Sequence, residues 1–328
     1  MRYRTIGTDP AHRREVSVLA LGAMLFGSLT DEKTSFAILD RYAEAGGNFV
    51  DTSDNYAFWT DGSQGGHSEE LLGRWRRSRG VGDGIVIATK LGARPLAPGT
   101  SYVDNAEGLS ATTIREAAEA SMERLGVSRL DLLYAHIDDH TVPQRETVEG
   151  FGALVTEGMA GLLGVSNQAI WRVERARALA AAAGLPGYEV LQYQYSLLRP
   201  RVDVPSDLFP DGSLGHAGPE LFGYLRAEPT LTLVAYSPLL AGAYAREDKP
   251  LPSDYDHPGT PARHAVLRAV ARETGATVNQ VVLAWQIGAD LPVVPLAGAS
   301  SVAQLEENLA AVDLELTPDQ RARLDAAH

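Results

Sequence analysis

The stretch IVIATK at residues 85–90 is a continuous apolar run that ends in a charged side chain, Lys90. The stretch LTLVAY at residues 231–236 has the same character and ends in Tyr236. Uninterrupted apolar runs of this length are typical of strands that are buried on both faces of a parallel sheet. The sequence therefore predicts buried parallel strands that carry functional side chains at their carboxyl ends.

Similar β-rich runs alternate with amphipathic helical patterns along the whole chain. The predicted strands are Val16–Leu21, Asn48–Asp51, Gly84–Thr89, Leu130–His136, Gly161–Val165, Glu189–Tyr193, Leu231–Tyr236 and Pro292–Pro295. The predicted helices are Thr34–Ala45, Glu69–Arg77, Ala111–Leu125, Val148–Glu157, Ala169–Ala182, Arg263–Thr274, Val302–Ala311 and a last one that begins at Thr317 with a Thr-x-x-Gln capping box.

Eight strand–helix alternations in 328 residues predict an α/β fold, a (β/α)8 TIM barrel with long loops at its C-terminal face. We expect a single domain over residues 1–328. The competing fold, a doubly wound dinucleotide-binding sheet, carries G-x-G-x-x-G after its first strand. The stretch GAMLFG at residues 22–27 has a different glycine spacing, so the barrel is favoured.

Composition excludes several classes of protein. The chain has no cysteine, which excludes a disulfide framework, a thiolate metal site and a cysteine nucleophile. Its net charge of −13 argues against nucleic acid as a partner, because phosphate backbones need clustered Lys and Arg. No signal peptide and no apolar stretch of about 18 residues is present, so we expect a cytoplasmic protein without a membrane partner. The sequence leaves the oligomeric state open.

The residues at the predicted strand ends form a chemically coherent set. A barrel gathers these positions at one mouth, where they include Asp51, Lys90 and His136. Tyr56 follows Asp51 by five residues, so both side chains can project into the mouth from one loop. An ammonium beside a phenol favours the phenolate, and a carboxylate holds the ammonium in place. With a neutral His136 as a hydrogen-bond donor, the set suits protonation of a carbonyl oxygen while hydride reaches the carbon.

These segments resemble a known family, the aldo-keto reductases. FVDTSDNY at 49–56, ATK at 88–90 and YAHIDD at 134–139 look like the segments that carry its catalytic tetrad. GVSN at 164–167, QYQYSLL at 192–198, AYSPL at 235–239 and GASS at 298–301 are similar to its cofactor segments. The resemblance implies NADPH-dependent reduction of a small-molecule carbonyl substrate. By resemblance, Tyr56 is the general acid, Lys90 and Asp51 tune it, and His136 orients the carbonyl.

The same resemblance implies a set of cofactor contacts. Ser166, Asn167 and Gln192 would hold the nicotinamide carboxamide, Tyr236 would stack on the ring, and Ser237 and Leu239 would meet the pyrophosphate. The other implied contacts are Gly22, Met24, Gly298, Ser300, Gln304, Glu307 and Asn308. Free N–H groups at the start of the helix Val302–Ala311 also suit a phosphate.

No Lys or Arg lies between Pro295 and Asn308, where many aldo-keto reductases place a cation for the 2′-phosphate. Lys249, Arg246 or Arg263 can substitute. We therefore expect NADPH, with NADH left open.

Two further features concern the substrate and possible metals. Phe26, Phe58 and Trp59 are candidates for walls of the substrate pocket, the last two with packing on the barrel rim as the alternative. The loops Gly99–Gly108 and Arg199–Pro219 would also shape that pocket. The stretch HIDDH at 136–140 has metal-ligand residue types, but we expect no metal, because the other histidines do not fall at strand ends.

A second function stays open, since some aldo-keto reductases serve as cofactor-binding regulatory subunits with little turnover.

Overall fold

The computed structural model describes residues 1–60, 62–100, 105–203 and 215–327. Within these residues the chain forms ten strands, which we number in chain order. They are β1 Tyr3–Ile6, β2 Arg14–Ser17, β3 Ala20–Gly22, β4 Phe49–Asp51, β5 Val86–Leu91, β6 Leu130–Ala135, β7 Ala160–Ser166, β8 Val190–Gln194, β9 Thr232–Tyr236 and β10 Val293–Gly298.

The strands β3 to β10 close into a barrel in the order β10-β3-β4-β5-β6-β7-β8-β9. Every pairing in the barrel is parallel, and β10 joins both β9 and β3. Helices lie between the strands. They are α1 Glu32–Glu44, α2 His67–Arg79, α3 Ala111–Leu125, α4 Gln144–Thr156, α5 Ile170–Ala183, α6 Pro219–Ala227, α7 Gly259–Thr274, α8 Val278–Ile287, α9 Val302–Ala310 and α10 Pro318–Ala326. Short 3-10 turns occupy Leu240–Gly242, Ser253–Tyr255 and Ala311–Asp313. The predicted (β/α)8 barrel is confirmed.

The first predicted strand, Val16–Leu21, is wrong as a single element. Residues up to Ser17 belong to β2, which pairs antiparallel with β1, and the barrel strand β3 begins only at Ala20. The chain turns between them, where the buried Tyr42 hydroxyl bonds the Leu19 carbonyl at 2.7 Å. The β1–β2 hairpin carries Ile6 and Val16 into the interior cluster of the barrel. The apolar run is therefore shared between a hairpin that packs against one end of the barrel interior and a barrel strand.

Helix ends follow the local sequence rules. Thr317 and Gln320 form the predicted capping box at the start of α10, and Gly126 and Gly184 end α3 and α5 in the left-handed conformation.

Two helices, α6 and α8, have no counterpart among the predictions. All seven residues from 281 to 287 in α8 are buried, so this helix shows no amphipathic stripe. The capping box of Thr277 with Gln280 was the available signal for it.

No helix among the described residues combines the length and the apolar character that a membrane crossing requires.

Candidate active site

The four side chains predicted to act together meet at the C-terminal mouth of the barrel. Lys90, which is completely buried, donates hydrogen bonds to the Asp51 carboxylate, to the Thr52 carbonyl at 2.7 Å and to the Tyr56 hydroxyl at 2.9 Å. The imidazole of His136 lies edge-on to the Tyr56 ring, with 6.2 Å between ring centroids. The structure thus brings Asp51, Tyr56, Lys90 and His136 into one cluster.

Backbone pairing explains how the loop after β4 delivers Tyr56 to this cluster. Asp51 ends β4 opposite Ala88 of β5. Beyond the strand, Thr52 N–H still donates to the Ala88 carbonyl at 2.8 Å, and Asp54 N–H donates to the Lys90 carbonyl at 3.1 Å. The loop therefore continues along β5 for three residues, and the turn that follows places the Tyr56 hydroxyl at the tip of the Lys90 side chain.

Burial and charge fix the protonation states of this cluster. Burial alone lowers the pKa of Lys90, but the Asp51 carboxylate and the Tyr56 hydroxyl outweigh it and leave that pKa raised, so Lys90 is an ammonium. Burial raises the pKa of Asp51, opposed by the charge and hydrogen bond of Lys90. Burial, together with the positive charge of Lys90, holds the pKa of His136 well below its usual range. His136 is therefore neutral around pH 7.

Several residues predicted for the nicotinamide lie at the adjoining strand ends and bond one another. Gln192 donates from Nε2 to the second Asp51 oxygen at 2.8 Å, and Ser166 donates to the Gln192 carbonyl at 2.9 Å. Tyr236 donates to Asn167 Oδ1 at 2.9 Å. Asn167 has a φ of 58°, in the left-handed region, which turns its side chain away from the path of β7. The contact between Gln192 and Asp51 was not predicted and links the nicotinamide segment to the tetrad.

The segment predicted for the adenosine phosphate opens helix α9. Gln304 accepts from both the backbone and the side chain of Ser300, at 2.8 and 2.9 Å, while Asn308 donates to the Gly298 carbonyl at 3.2 Å. Glu307 instead accepts from Thr277 at 2.7 Å and so ties α9 to the start of α8. The predicted contact residues of this segment thus shape the turn that precedes the helix.

The glycine pair at the β3–β10 edge leaves room beside that turn. Gly22 and Gly298 are register partners across the two strands. A Cβ placed on Gly298 would meet only the Gly22 carbonyl, at 3.9 Å. Met24, which follows Gly22 by two residues, is 46% exposed. This open surface next to the N-terminal end of α9 fits an extended, phosphate-bearing cofactor.

The three candidate cations for a 2′-phosphate differ in availability. Arg246 is exposed and forms an ion pair with Asp248 at 2.5 Å. Arg263 is buried and donates to the Leu197 carbonyl at 3.3 Å, and burial together with the nearby Arg199 lowers its pKa. Lys249 lies on the exposed loop that precedes α7.

The aromatic candidates for the pocket wall divide into two kinds. Phe26 is 1% exposed and belongs to the main core, so the predicted wall role is not supported for it, because its ring presents no surface to a ligand. Phe58 and Trp59 stack edge to face at 5.3 Å between centroids, and Trp59 is 38% exposed. Parts of the two loops predicted to shape the pocket, residues 101–104 and 204–214, lie outside the described residues.

The HIDDH stretch is occupied by protein contacts. Asp138 forms an ion pair with Arg172 at 2.7 Å, and Asp139 accepts from the Leu109 and Thr141 backbone N–H groups, both at 2.8 Å. Asp139 therefore caps backbone N–H groups of the rim loops. Within the described part of the chain, no three His, Asp or Glu side chains come together as metal ligands.

A cavity of about 660 Å³ opens between the end of β8 and the starts of α5 and α6. Gln194 and Tyr255 line it and bond each other at 2.8 Å, and no tetrad residue contributes to its wall. We therefore place the candidate active site at the tetrad rather than in this cavity.

Comparison with known proteins identifies the family of the chain. Residues 18–328 match the profile of the Aldo/keto reductase family. Norsolorinic acid reductase B of Aspergillus parasiticus is 29% identical, with 100% of this chain and 84% of the relative covered. Aryl-alcohol dehydrogenase [NADP(+)] of Phanerodontia chrysosporium is 28% identical, with 97% and 84% covered. A solved thermostable aldo-keto reductase in complex with the inhibitor epalrestat superposes with a TM-score of 0.74 at 23% identity, over all of both chains.

Proposed function

Since the chain belongs to the aldo/keto reductase family, an NAD(P)H-dependent group of carbonyl reductases, we propose that it uses NADPH to reduce an aldehyde or ketone to the alcohol, with Tyr56 as the proton donor. The observation that carries this proposal is the position of Lys90, whose ammonium contacts both the Asp51 carboxylate and the Tyr56 hydroxyl. The proposal accounts for why an ion pair is buried completely at the end of two barrel strands.

The chemistry follows from the charges of the cluster. Reduction adds hydride to the carbonyl carbon and a proton to its oxygen. The Tyr56 O–H bond breaks as the new O–H bond forms, and the Lys90 ammonium stabilises the negative charge left on the phenol oxygen. Asp51 keeps that ammonium charged and in place in a site with no solvent contact. His136, neutral and edge-on to Tyr56, donates a hydrogen bond that orients the carbonyl oxygen.

The residues at the neighbouring strand ends fit the nicotinamide cofactor, which supplies the hydride when bound. Asn167 and Tyr236 form a hydrogen-bonded pair beside the tetrad and would hold and cover the nicotinamide, with Ser166 and Gln192 beneath them. Ser237 and Leu239 would meet the pyrophosphate, and the turn at Ser300 with the N-terminal end of α9 would receive the adenosine phosphate. We propose NADPH over NADH, with Lys249 as the cation most accessible to a 2′-phosphate.

The substrate proposed is a small-molecule carbonyl compound that packs against Phe58 and Trp59. One relative carries the name norsolorinic acid reductase B, and another carries the name aryl-alcohol dehydrogenase [NADP(+)]. Aryl aldehydes and ketones are therefore the first compounds to assay, since flat rings pack well against an edge-to-face aromatic pair.

The test is cofactor oxidation with a panel of aldehydes and ketones, measured with NADPH and NADH for the wild type and Tyr56→Phe. We expect wild-type turnover with NADPH, and a loss of at least about 100-fold in kcat for Tyr56→Phe, because the proton donor is gone. NADPH affinity, measured by fluorescence titration, should stay within about threefold.

The matched control is Tyr3→Phe, which removes a phenol hydroxyl from the β1–β2 hairpin, where it bonds the Gly46 carbonyl. Full activity in Tyr56→Phe would refute the assignment of the proton donor. Tight NADPH binding without turnover on any carbonyl would favour the regulatory-subunit alternative.

A further inference from the structure

The Ser53 hydroxyl lies against one edge of the His136 ring. Ser53 is completely buried in the loop between Asp51 and Tyr56, and its Oγ is 3.1 Å from His136 Nδ1. Among the residues that the structure describes, the ring makes no other hydrogen bond. The other ring nitrogen, Nε2, is therefore the one that remains for a bound ligand.

The identity of the protonated ring nitrogen decides what His136 can do. A neutral imidazole carries one N–H, so one nitrogen donates and the other accepts. If Nδ1 donates to Ser53, Nε2 is only an acceptor and cannot assist a carbonyl oxygen, which also only accepts. If Ser53 donates to Nδ1, Nε2 carries the proton and can donate to the carbonyl. The direction of the Ser53 hydroxyl therefore sets the function of His136.

Three acceptors besides His136 lie within reach of the single Ser53 proton, and the most distant of them is Asp54 Oδ1 at 3.4 Å. Asn55 Oδ1 is 2.9 Å from Oγ, and the Lys90 carbonyl is 3.3 Å away. The Lys90 carbonyl already accepts from Asp54 N–H at 3.1 Å and does not depend on Ser53. The Asn55 amide is oriented by its donation from Nδ2 to the Ala93 carbonyl at 3.1 Å, which turns Oδ1 toward Ser53. Asp54 Oδ1 has the longest contact, and burial together with the nearby Glu107 holds the pKa of that carboxyl well above its usual range, which makes it a weaker acceptor. The competition is therefore between Asn55 and His136.

Basicity favours His136 in this competition. An imidazole nitrogen has a reference pKa of about 6.5, and although burial and Lys90 lower the pKa of His136, its ring nitrogen is still more basic than an amide oxygen and is the stronger acceptor of a neutral hydroxyl. The opposite arrangement would also leave a bare Nε2 lone pair facing the lone pairs of a bound carbonyl oxygen, which is repulsive. Ser53 Oγ lies 0.2 Å closer to Asn55 Oδ1 than to His136 Nδ1, but this small difference in distance does not offset these two effects.

We infer that Ser53 is a positioning residue, whose hydroxyl donates to His136 Nδ1 and holds the ring in the Nε2–H form that can bind a carbonyl oxygen. This inference rests on the proposed function for its consequence, but the tautomer itself is a property of the free protein. Asn55 is the competing acceptor, so Ser53→Ala and Asn55→Ala should act in different ways. The first removes the donor to Nδ1, and the second removes only its competitor.

The experiment is a long-range ¹H–¹⁵N correlation spectrum of the full-length ¹⁵N-labelled protein, in which protonated and unprotonated ring nitrogens give distinct patterns. The chain has eight histidines, so the His136 signals are assigned by their loss in His136→Gln. We expect an unprotonated Nδ1 and a protonated Nε2 in the wild type and in Asn55→Ala. In Ser53→Ala we expect a population with Nδ1 protonated, and in Ser53→Thr, which restores a hydroxyl, the wild-type pattern.

Kinetics gives a second readout. Loss of one neutral hydrogen bond that fixes the tautomer should lower kcat of Ser53→Ala by about three- to tenfold, with cofactor affinity unchanged. A wild-type ring protonated at Nδ1, or an identical tautomer in the wild type and Ser53→Ala, would overturn the inference. The spectrum requires no turnover, so absence of carbonyl reduction would count against the proposed function alone.

Discussion

Replacing Asp51 with Asn tests the central ion pair, because it removes a charge while keeping the shape of the side chain. In the wild type the Lys90 ammonium and the Asp51 carboxylate are both fully buried, and Gln192 donates to the second carboxylate oxygen at 2.8 Å. In Asp51→Asn, the one amide oxygen can accept from only one of these two donors, and where it accepts from Gln192 the new amide N–H₂ faces Lys90. Lys90 keeps only the Thr52 carbonyl and the Tyr56 hydroxyl as partners.

The expected loss of stability in Asp51→Asn is similar whether Lys90 stays charged or loses its proton. If Lys90 stays charged, an uncompensated buried charge costs about 3–5 kcal/mol. If Lys90 loses its proton instead, holding a lysine of reference pKa near 10.4 neutral at pH 7 costs about 4–5 kcal/mol. Either route lowers the free energy of unfolding by about 3–5 kcal/mol and, with an unfolding entropy of about 2.1 cal/mol/K per residue over 328 residues, should reduce Tm by roughly 4–7 °C.

The pH dependence of this loss has a definite sign. In the wild type the pKa of Lys90 is raised, so its contribution to stability is complete below the unfolded-state pKa and is lost only above it. In Asp51→Asn burial lowers that pKa, so the unfolded chain binds more protons at neutral pH. The stability of the variant therefore rises with pH, and the gap to the wild type narrows between pH 7 and about 10.

The assay is urea unfolding of the wild type and Asp51→Asn between pH 7 and 10, with Asp203→Asn as the control. Asp203 pairs with Arg201 at 2.6 Å on the exposed surface, where an ion pair contributes about 0–1 kcal/mol. We also expect kcat for carbonyl reduction to fall by about 100-fold, since Lys90 loses either its charge or the carboxylate that holds it against Tyr56. A loss below about 1 kcal/mol, or a gap that is constant with pH, would refute the argument.

Two further predictions concern buried charge elsewhere in the fold. Arg124→Met leaves the fully buried Glu69 without its ion-pair partner at 2.6 Å, so unfolding in urea should show a loss of about 3–5 kcal/mol, against about 0–1 kcal/mol for Arg74→Met in an exposed pair. Equal losses for both variants would contradict this reasoning. His136 has a lowered pKa, so its neutral form stabilises the protein above about pH 6.5 and this contribution is lost as pH falls. His136→Gln should flatten the decline in Tm between pH 7 and 5 relative to the exposed control His140→Gln, and an unchanged slope would rule out this contribution.

Sequence patterns predicted the parts of the fold that local chemistry determines. The run at 85–90 became β5 because every residue from Val86 to Leu91 is buried, as an uninterrupted apolar strand requires. The capping box at Thr317 began a helix because its side chains satisfy the free N–H groups of the first turn. Asp51 and Lys90 were predicted to meet because parallel strands bring their carboxyl ends to one edge, and in the structure they form an ion pair.

What the sequence did not predict depends on contacts between distant segments. The split of Val16–Leu21 is fixed by Tyr42, whose hydroxyl bonds Leu19 from helix α1. Phe26 was expected at the pocket, but its burial is decided by the packing of the loop after β3, which no local pattern specifies. The bond from Gln192 to Asp51 joins residues 141 positions apart in sequence. An amide side chain at a strand end suits a cofactor or a neighbouring carboxylate equally, and only the barrel geometry selects between them.

The loop after β4 carries two of the proposed catalytic residues, Asp51 at its start and Tyr56 at its end, together with the proposed positioning residue Ser53, and its backbone explains how they come together. It follows β5 through bonds from Thr52 and Asp54 N–H to the carbonyls of Ala88 and Lys90, so side-chain directions alternate as in a strand. Asp51 and Ser53 then approach Lys90 and His136 respectively, and the turn that follows carries Tyr56 back to Lys90. The spacing of residues 51–56 therefore fixes the relative positions of the Asp51 carboxylate, the Ser53 hydroxyl and the Tyr56 phenol. In this acidic chain, which has no cysteine and no metal cluster among its described residues, one loop and two strand ends therefore suffice to bring together the proposed proton donor, its charged partner Lys90 and the proposed orienting imidazole.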